Sequence, residues 1–297
     1  MLLIVLWAMG LVSLAVGTLV VRATHELHLG GIPLELVQAE AIAQAGVYQA
    51  IRVIQQDTQD APQCDTLQEP WATGLDAAGV TLFERIVVGT GTFSVGHVQA
   101  GVIVSGLIDE GRKLNLNTAT PGQLQQLITA VNSDGSIKPA DLVAAIIDWR
   151  DEPQGAWCDA HQLGYPCHNG PFDSIEELRL VPGMTPGLFA ALEPYATVYG
   201  SGAINANTAE PTVLKAVGLS DAQISTIVQQ RQTQPFDAGH PPPAGLAVTS
   251  AVFSVSVEAR TAPGRGLAHL RTVIDRDGCG VTAPPEKPCV LAWSPAW

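Results

Sequence analysis

The chain has 297 residues, 46% of them hydrophobic, which suffices for one or two packed domains and excludes a disordered polymer. Its formal net charge of −13 argues against a surface that grips nucleic-acid phosphates through clustered Lys and Arg, and suits a solvated, extracytoplasmic surface that could bind cations. Met1 to Val21 carries no charged residue. A helix over 1–21, rising about 1.5 Å per residue, spans roughly 32 Å, the thickness of a bilayer core, so a transmembrane segment is expected there. A cleaved signal peptide would instead want a basic region, a shorter apolar core and a small-residue cleavage site, and none is plain. The absence of a basic residue before the apolar run suggests a reading frame that begins upstream.

Residues 22–56 continue as the rest of a stem helix, with Gly30-Gly31-Ile32-Pro33 expected to interrupt or kink it. Beyond that break Leu34, Val37, Ala41, Ala45, Tyr48 and Arg52 fall on one helical stripe. The stripe fits a helix packed on a domain, or a stem joining membrane to domain. Asp57 to Gly79 reads as a loop. Phe83–Val88, Thr92–Val95 and Val102–Ser105 are short β-rich runs separated by glycines, the first part (57–114) of a small antiparallel sheet.

From 115 to 235 the chain is organised by a motif written twice. Asn115-Leu116-Asn117-Thr118-Ala119-Thr120-Pro121 returns as Asn205-Ala206-Asn207-Thr208-Ala209-Glu210-Pro211, and Leu124 and Leu214 keep the register. Each copy precedes a helical pattern ending in Arg, at Arg150 and Arg231. Thr120, Pro121 and Gln123 give an N-cap, an N1 proline and a capping-box partner. In the second copy Glu210 replaces the cap, and Ser220 with Gln223 forms a new box. Leu142, Ala145, Ile146 and Trp149 make one apolar helix face. Ser174 with Glu177 caps another helix, Pro182-Gly183 stops it, and Thr185-Pro186 starts the next. The pattern reads as helix–hairpin–helix. Gln234 to Gly245 reads as a proline-rich linker. Strand signals then resume over 236–297, at Val252–Val257, Ala268–Ile274 and Val290–Trp293. The simplest architecture is α+β: a long N-terminal helix on a small antiparallel sheet, with a large α-helical domain inserted between its strands.

Of five cysteines, Cys158 lies near Cys167 and Cys279 near Cys289, both in loop-like stretches. Because the apolar start implies export, each pair is expected to close a small disulfide ring, leaving Cys64 unpaired. A zinc site from Cys158, His161, Cys167 and His168 ranks below that reading. The seven histidines are scattered, and Ser94, Ser174 and Ser201 lack a nucleophile-elbow context, so no enzyme is expected.

Together the apolar start Leu2–Trp7, both Asn-x-Asn-Thr-Ala motifs, Asp148-Trp149-Arg150-Asp151, Pro171–Arg179 and the late Phe253-Ser254-Val255 strand resemble the protein K family of minor pseudopilins of type II secretion. The resemblance implies a pilin-like subunit in the inner membrane, single-pass, with its globular part in the periplasm. It implies a place at the pseudopilus tip with the I-type and J-type minor pseudopilins, helping to initiate assembly for protein export. No acid precedes Glu26, which matches a family that lacks the pilin stacking glutamate. The family's short basic leader ending in Gly has no counterpart here.

The resemblance further implies that stems bundle through the Leu34–Gln55 helix, making Leu34, Val37, Ala41, Ala45 and Tyr48 the partner face. It also implies calcium near the helical insertion, with Asp148, Asp151, Glu152, Asp159 and Asp173 as the oxygen donors such an ion wants. Pro153 and Trp157 stand where the family has acids. The plainer reading of the same acids is that Asp148 caps a helix or pairs with Arg150 or Arg179, the others being solvated. The competing function is a membrane-anchored helix–hairpin–helix DNA-binding protein of the competence type. Its hairpin would be Val181-Pro182-Gly183-Met184-Thr185, but Thr185 replaces the second glycine and only Arg179 is near.

Overall fold

The computed structural model describes residues 2–99, 102–132, 135, 137–151, 168–262, 266–278 and 289–295. Helix α1 (Leu2–Asp60) runs without interruption through Gly30–Pro33, so the expected break is absent. A proline inside a helix forfeits one backbone hydrogen bond and crowds one carbonyl, a local cost of about 3 kcal/mol. The helix on both sides, packed on a sheet along its second half, outweighs that cost.

The packing face of α1 carries Ala39, Ile42, Ala43, Val47, Ala50, Val53 and Ile54, all buried, at helical spacing. Small residues dominate it, so backbone and sheet approach closely. At Gly46 a Cβ would stand 2.6 Å from Val257 Cγ1 and 3.0 Å from Phe93 Cδ2, which leaves no room for a side chain. The predicted stripe is the opposite one. Leu34, Val37, Ala41 and Tyr48 are exposed and Ala45 is half-buried. The helix is therefore apolar on two faces, of which the sheet covers one.

After α1 come the short α2 (Pro70–Thr73) and the strands β1 (Ile86–Val88), β2 (Gly91–Gln99), β3 (Val102–Ser105) and β4 (Ile108–Asp109). The helical block follows, opened by β5 (Leu114–Asn115) and holding α3 (Pro121–Val131), α4 (Pro139–Arg150) and α5 (Pro186–Leu192). Two further short strands, β6 (Ala196–Thr197) and β7 (Ile204–Asn205), precede α6 (Pro211–Ala216) and α7 (Asp221–Thr233). The chain closes with β8 (Leu246–Ala247), β9 (Val252–Thr261), β10 (Leu267–Asp275) and β11 (Cys289–Pro295).

The main sheet has the order β1-β2-β9-β10-β11, with β3 on β2 and β4 on β9. Strand β2 pairs antiparallel with β9 from Gly91↔Thr261 to Val95↔Val257. Strands written before and after the helical block thus lie side by side, which makes the block an excursion from one sheet. The inward residues Phe93, Val95, Phe253, Val255, Val257 and Ala259 meet α1 in one core, where Trp71 stands edge-on to Phe253 at 5.0 Å.

The helical block has its own core, built on Leu124, Leu127, Ile128, Leu142, Ile146, Trp149, Leu178, Phe189, Leu192, Val213, Leu214 and Ile227. Both expected capping boxes, Thr120 with Gln123 and Ser220 with Gln223, are formed. Ser174 with Glu177 also forms one, although the turn it starts, Ile175–Leu180, is a 3-10 helix. Gly183 stops it at φ 88°, and Thr185 caps α5. The start of α4 follows an uncapped Lys138 and is marked only by the N1 proline Pro139 and by Asp141 in the first turn. Gln234–Gly245 is more than a linker, because Phe236 within it is buried in the helical core.

Candidate functional site

The repeated motif acts as two equivalent clasps. In the first copy Asn115 Oδ1 accepts from Asn117 N at 2.8 Å, and Asn117 brackets Phe172: its Nδ2 donates to Phe172 O at 3.0 Å and its Oδ1 accepts from Phe172 N at 2.8 Å. In the second copy Asn205 Oδ1 accepts from Asn207 N at 2.9 Å, and Asn207 brackets Phe236 with the same two bonds, at 3.0 and 2.8 Å. The arginine in the last turn of each helix closes its copy. Arg150 Nη1 donates to the carbonyls of Leu116 and Ala119, at 2.6 and 2.8 Å. Arg231 Nη1 donates to those of Ala206 and Ala209, at 3.1 and 2.6 Å. The arginines thus satisfy carbonyls of the motif loop that no helix or sheet serves.

The copies differ in what the leading asparagine grasps. Asn115 Nδ2 donates to Tyr199 O and Gly200 O, inside the helical block. Asn205 Nδ2 reaches across to the sheet side, toward Asp65 O at 3.2 Å, Asp109 Oδ2 at 3.3 Å and Ser250 Oγ at 3.1 Å. Thr208 Oγ1 donates to the same Asp109 oxygen at 2.5 Å, and Gly111 N donates to Asp109 Oδ1 at 2.6 Å. Three donors favour the carboxylate, yet burial wins and pushes Asp109 up to about 6. Beside it, burial also disfavours ionised Glu110. The ammonium of Lys113 at 2.8 Å and the Ser254 hydroxyl outweigh that, and Glu110 is held below its ordinary value. Arg112 pairs with Glu210, the N-cap of α6. The junction between the two cores is therefore polar and rich in hydrogen bonds, which fixes how the block sits on the sheet.

A second polar cluster lies at the end of α1. Asp57, Asp65 and Glu69 bring one oxygen each within 4.8 Å of the other two. Arg276 holds Asp65 bidentately, at 2.8 and 2.6 Å, and lies 3.5 Å from Asp57 Oδ2. Burial, reinforced by Glu69 and Asp65, pushes Asp57 up to about 7 against the pull of Arg276. Nothing in the local sequence marked this group, because Arg276 enters from just past the end of β10, far along the chain.

The expected calcium ligands fare differently. Asp151 is exposed and paired with Arg150 at 3.0 Å, and Asp173 is exposed. Among the described residues, Asp148, Asp151 and Asp173 form no three-ligand group, and Glu152 and Asp159 lie outside the described set. Cys158, Cys167 and Cys279 also lie outside it, as does the side chain of Cys289. Cys64 is a free, half-buried thiol, raised to about 11 by burial and by Glu69, Asp237, Asp65 and Asp57.

The outward face of α1 is apolar and exposed. Leu34, Val37 and Tyr48 are 60%, 60% and 70% exposed and lie on one side of the helix. Nearer the start Val5, Trp7, Met9, Val12, Leu14 and Val16 are exposed as well. Among the described residues no helix is long and apolar enough to cross a membrane. The expected span over 1–21 falls in part on residues whose side chains lie outside that set.

Residues 105–201 match a family model described as type II secretion system (T2SS), protein K, and residues 204–239 match a second model of that description. The type II secretion system protein K of Klebsiella pneumoniae is 24% identical over 244 residues, covering 78% of this chain and 72% of the relative. A chain in the crystal structure of the GspK-GspI-GspJ complex from the enterotoxigenic Escherichia coli type 2 secretion system aligns with a TM-score of 0.64 at 19% identity. That alignment covers 93% of this chain and 99% of that one. The matched segments contain both clasps, and over them the chain is similar to the type II secretion system protein K family.

Proposed function

We propose that the chain is a minor pseudopilin that joins the I-type and J-type pseudopilins at the tip of the type II pseudopilus and helps to initiate its assembly. The observation that carries this reading is the uncovered apolar stripe of α1, Leu34, Val37, Ala41 and Tyr48, opposite the face that the sheet buries. A helix apolar on two faces needs two partners. The likeness to a chain of the GspK-GspI-GspJ complex supports helical stems of companion subunits as the second one. The uncharged run over 1–21 and the exposed apolar residues from Val5 to Val16 support a single inner-membrane anchor, with the globular part in the periplasm. The repeated cap, proline and closing arginine support reading the two units of the block as helix–hairpin–helix-like. The role is structural, with no enzymatic step.

The DNA-binding alternative loses its chemistry at the hairpin. The Thr185 hydroxyl serves as an N-cap, accepting from Leu188 N at 3.2 Å, and the Arg179 guanidinium lies 3.8 Å over the Phe189 ring. Neither group is presented to a phosphate. Co-purification of the tagged chain with the two companion pseudopilins tests the proposal. Val37→Glu and Tyr48→Glu should abolish capture while leaving the thermal midpoint unchanged. Undiminished capture by both variants would refute the assignment of this face.

A further inference from the structure

We propose that Asp57, Asp65 and Glu69 form a binding site for a hard divalent cation of calcium size, which ties the end of α1 to the loop after it. Calcium takes oxygen ligands at about 2.3–2.6 Å, so donors of one coordination sphere lie no more than about 5 Å apart. The three carboxylates meet that limit, each presenting an oxygen within 4.8 Å of the others. All donors are oxygens, and among the described residues no sulfur or imidazole nitrogen completes the group, which disfavours zinc and other softer metals.

The independent observation is Asp57. Its residue is 5% exposed, and its Oδ2 is sealed from solvent without any hydrogen bond. It is ion-paired with Arg276 Nη1 at 3.5 Å without a hydrogen bond, while Nη1 donates to Asp65 Oδ1 at 2.8 Å. A buried carboxylate oxygen left so is costly unless something else meets it. One guanidinium pairs with Asp57 and Asp65, and Glu69 adds a third carboxylate, an excess of negative charge that a doubly charged ion neutralises. Asp57 also sits in the last turn of a long helix that has no basic residue there, where the helix dipole adds negative potential.

The donors around the cluster orient it as second-layer groups orient metal ligands. Trp71 Nε1 and Thr66 N donate to Glu69 Oε2 at 2.6 and 3.0 Å, and Ser250 N donates to Asp65 Oδ2 at 2.5 Å. Both Asp65 and Ser250 also meet Asn205, so an ion here would brace the block's seat on the sheet. The site is separate from the Asp148–Asp173 region in sequence and in ligands.

Trp71 supplies the test, because its indole touches a proposed ligand and can sensitise bound terbium, a calcium-sized ion. Terbium is titrated into the full chain in detergent, with calcium as competitor. The expected result is saturable sensitised emission, displaced by calcium. Asp57→Asn and Glu69→Gln should weaken it by roughly tenfold or more, and Asp151→Asn should leave it unchanged. Emission equal to wild type in Asp57→Asn, or lost in Asp151→Asn, would overturn the assignment. A folding control has the opposite sign. With chelator, Asp57→Asn should melt no lower than wild type, since it removes an unmatched charge. With calcium, only wild type should melt higher. An equal calcium shift in both proteins, or none in wild type, would also overturn it.

Discussion

The sharpest stability prediction compares one substitution in the two copies of the motif. Asn205→Ala removes an amide that donates toward Asp65 O, Asp109 Oδ2 and Ser250 Oγ, and an oxygen that accepts from Asn207 N. Asn205 is fully buried, so water cannot replace it. A buried group left without its partner costs about 1–3 kcal/mol, and more when it is charged. The orphaned Asn207 N–H and the weakened Asp109 contact together give a loss of about 3–5 kcal/mol. Asn115→Ala orphans Asn117 N–H and the carbonyls of Tyr199 and Gly200, but these border a cleft that water reaches, so about 1–3 kcal/mol is expected. Domains hold only about 5–15 kcal/mol in all, so the difference is measurable.

The assay is urea unfolding followed by hydrogen exchange in peptides from each core. In Asn205→Ala the helical block should lose protection at lower urea than the β9 and β10 peptides, because the junction that couples the cores is broken. In Asn115→Ala both cores should shift together. Equal losses in the two variants, with both cores still opening as one, would refute the idea that the second clasp is the joint.

Arg231→Met and Arg150→Met should each cost about 2–4 kcal/mol by urea titration, since each strands two loop carbonyls that its guanidinium serves. Gly46→Ala should cost about 1–3 kcal/mol, read as a lower thermal midpoint, because its Cβ would press on Val257 and Phe93. Asp109 gives a pH dependence. Its folded value, about 6, lies above its ordinary 3.8, so its contribution is full below pH 4 and is lost as pH rises through 6. That shift corresponds to about 3 kcal/mol between wild type and Asp109→Asn across the window, wild type weakening relative to the variant as pH rises.

Much of this was legible in the chain. The doubled motif, its caps and its prolines marked helix starts at Pro121, Pro186 and Asp221, because capping is decided within four residues. The strands around the block were readable as β-rich runs, and their mutual pairing followed from needing one sheet for one stem. What was hidden depends on partners at unrelated spacings. Phe172 and Phe236 answer equivalent asparagines, but from different distances along the chain, so the clasp cannot be found by aligning the copies. Asp57, Asp65 and Glu69 look like solvated loop acids until Arg276 arrives from just past β10. Gly30–Pro33 misled in the other direction, since a local helix breaker yields to a long helix around it.

The clasps also explain how a pilin-like sheet tolerates so large an insertion between β4 and β9. The block leaves from Asp109, beside Phe253 in the register, and the chain returns at Val252. Both ends of the excursion therefore meet at one point on β9, and the block needs only a rigid seat there. A wholly apolar seat would permit sliding, because hydrophobic contact is not directional. Asp109, Asn205, Thr208 and Arg112 with Glu210 supply directional contacts instead. The second copy of the motif is consequently under a constraint that the first escapes. Its asparagine must satisfy its own loop and the sheet at once, and substitutions that the first copy absorbs as local loosening should detach the whole block in the second.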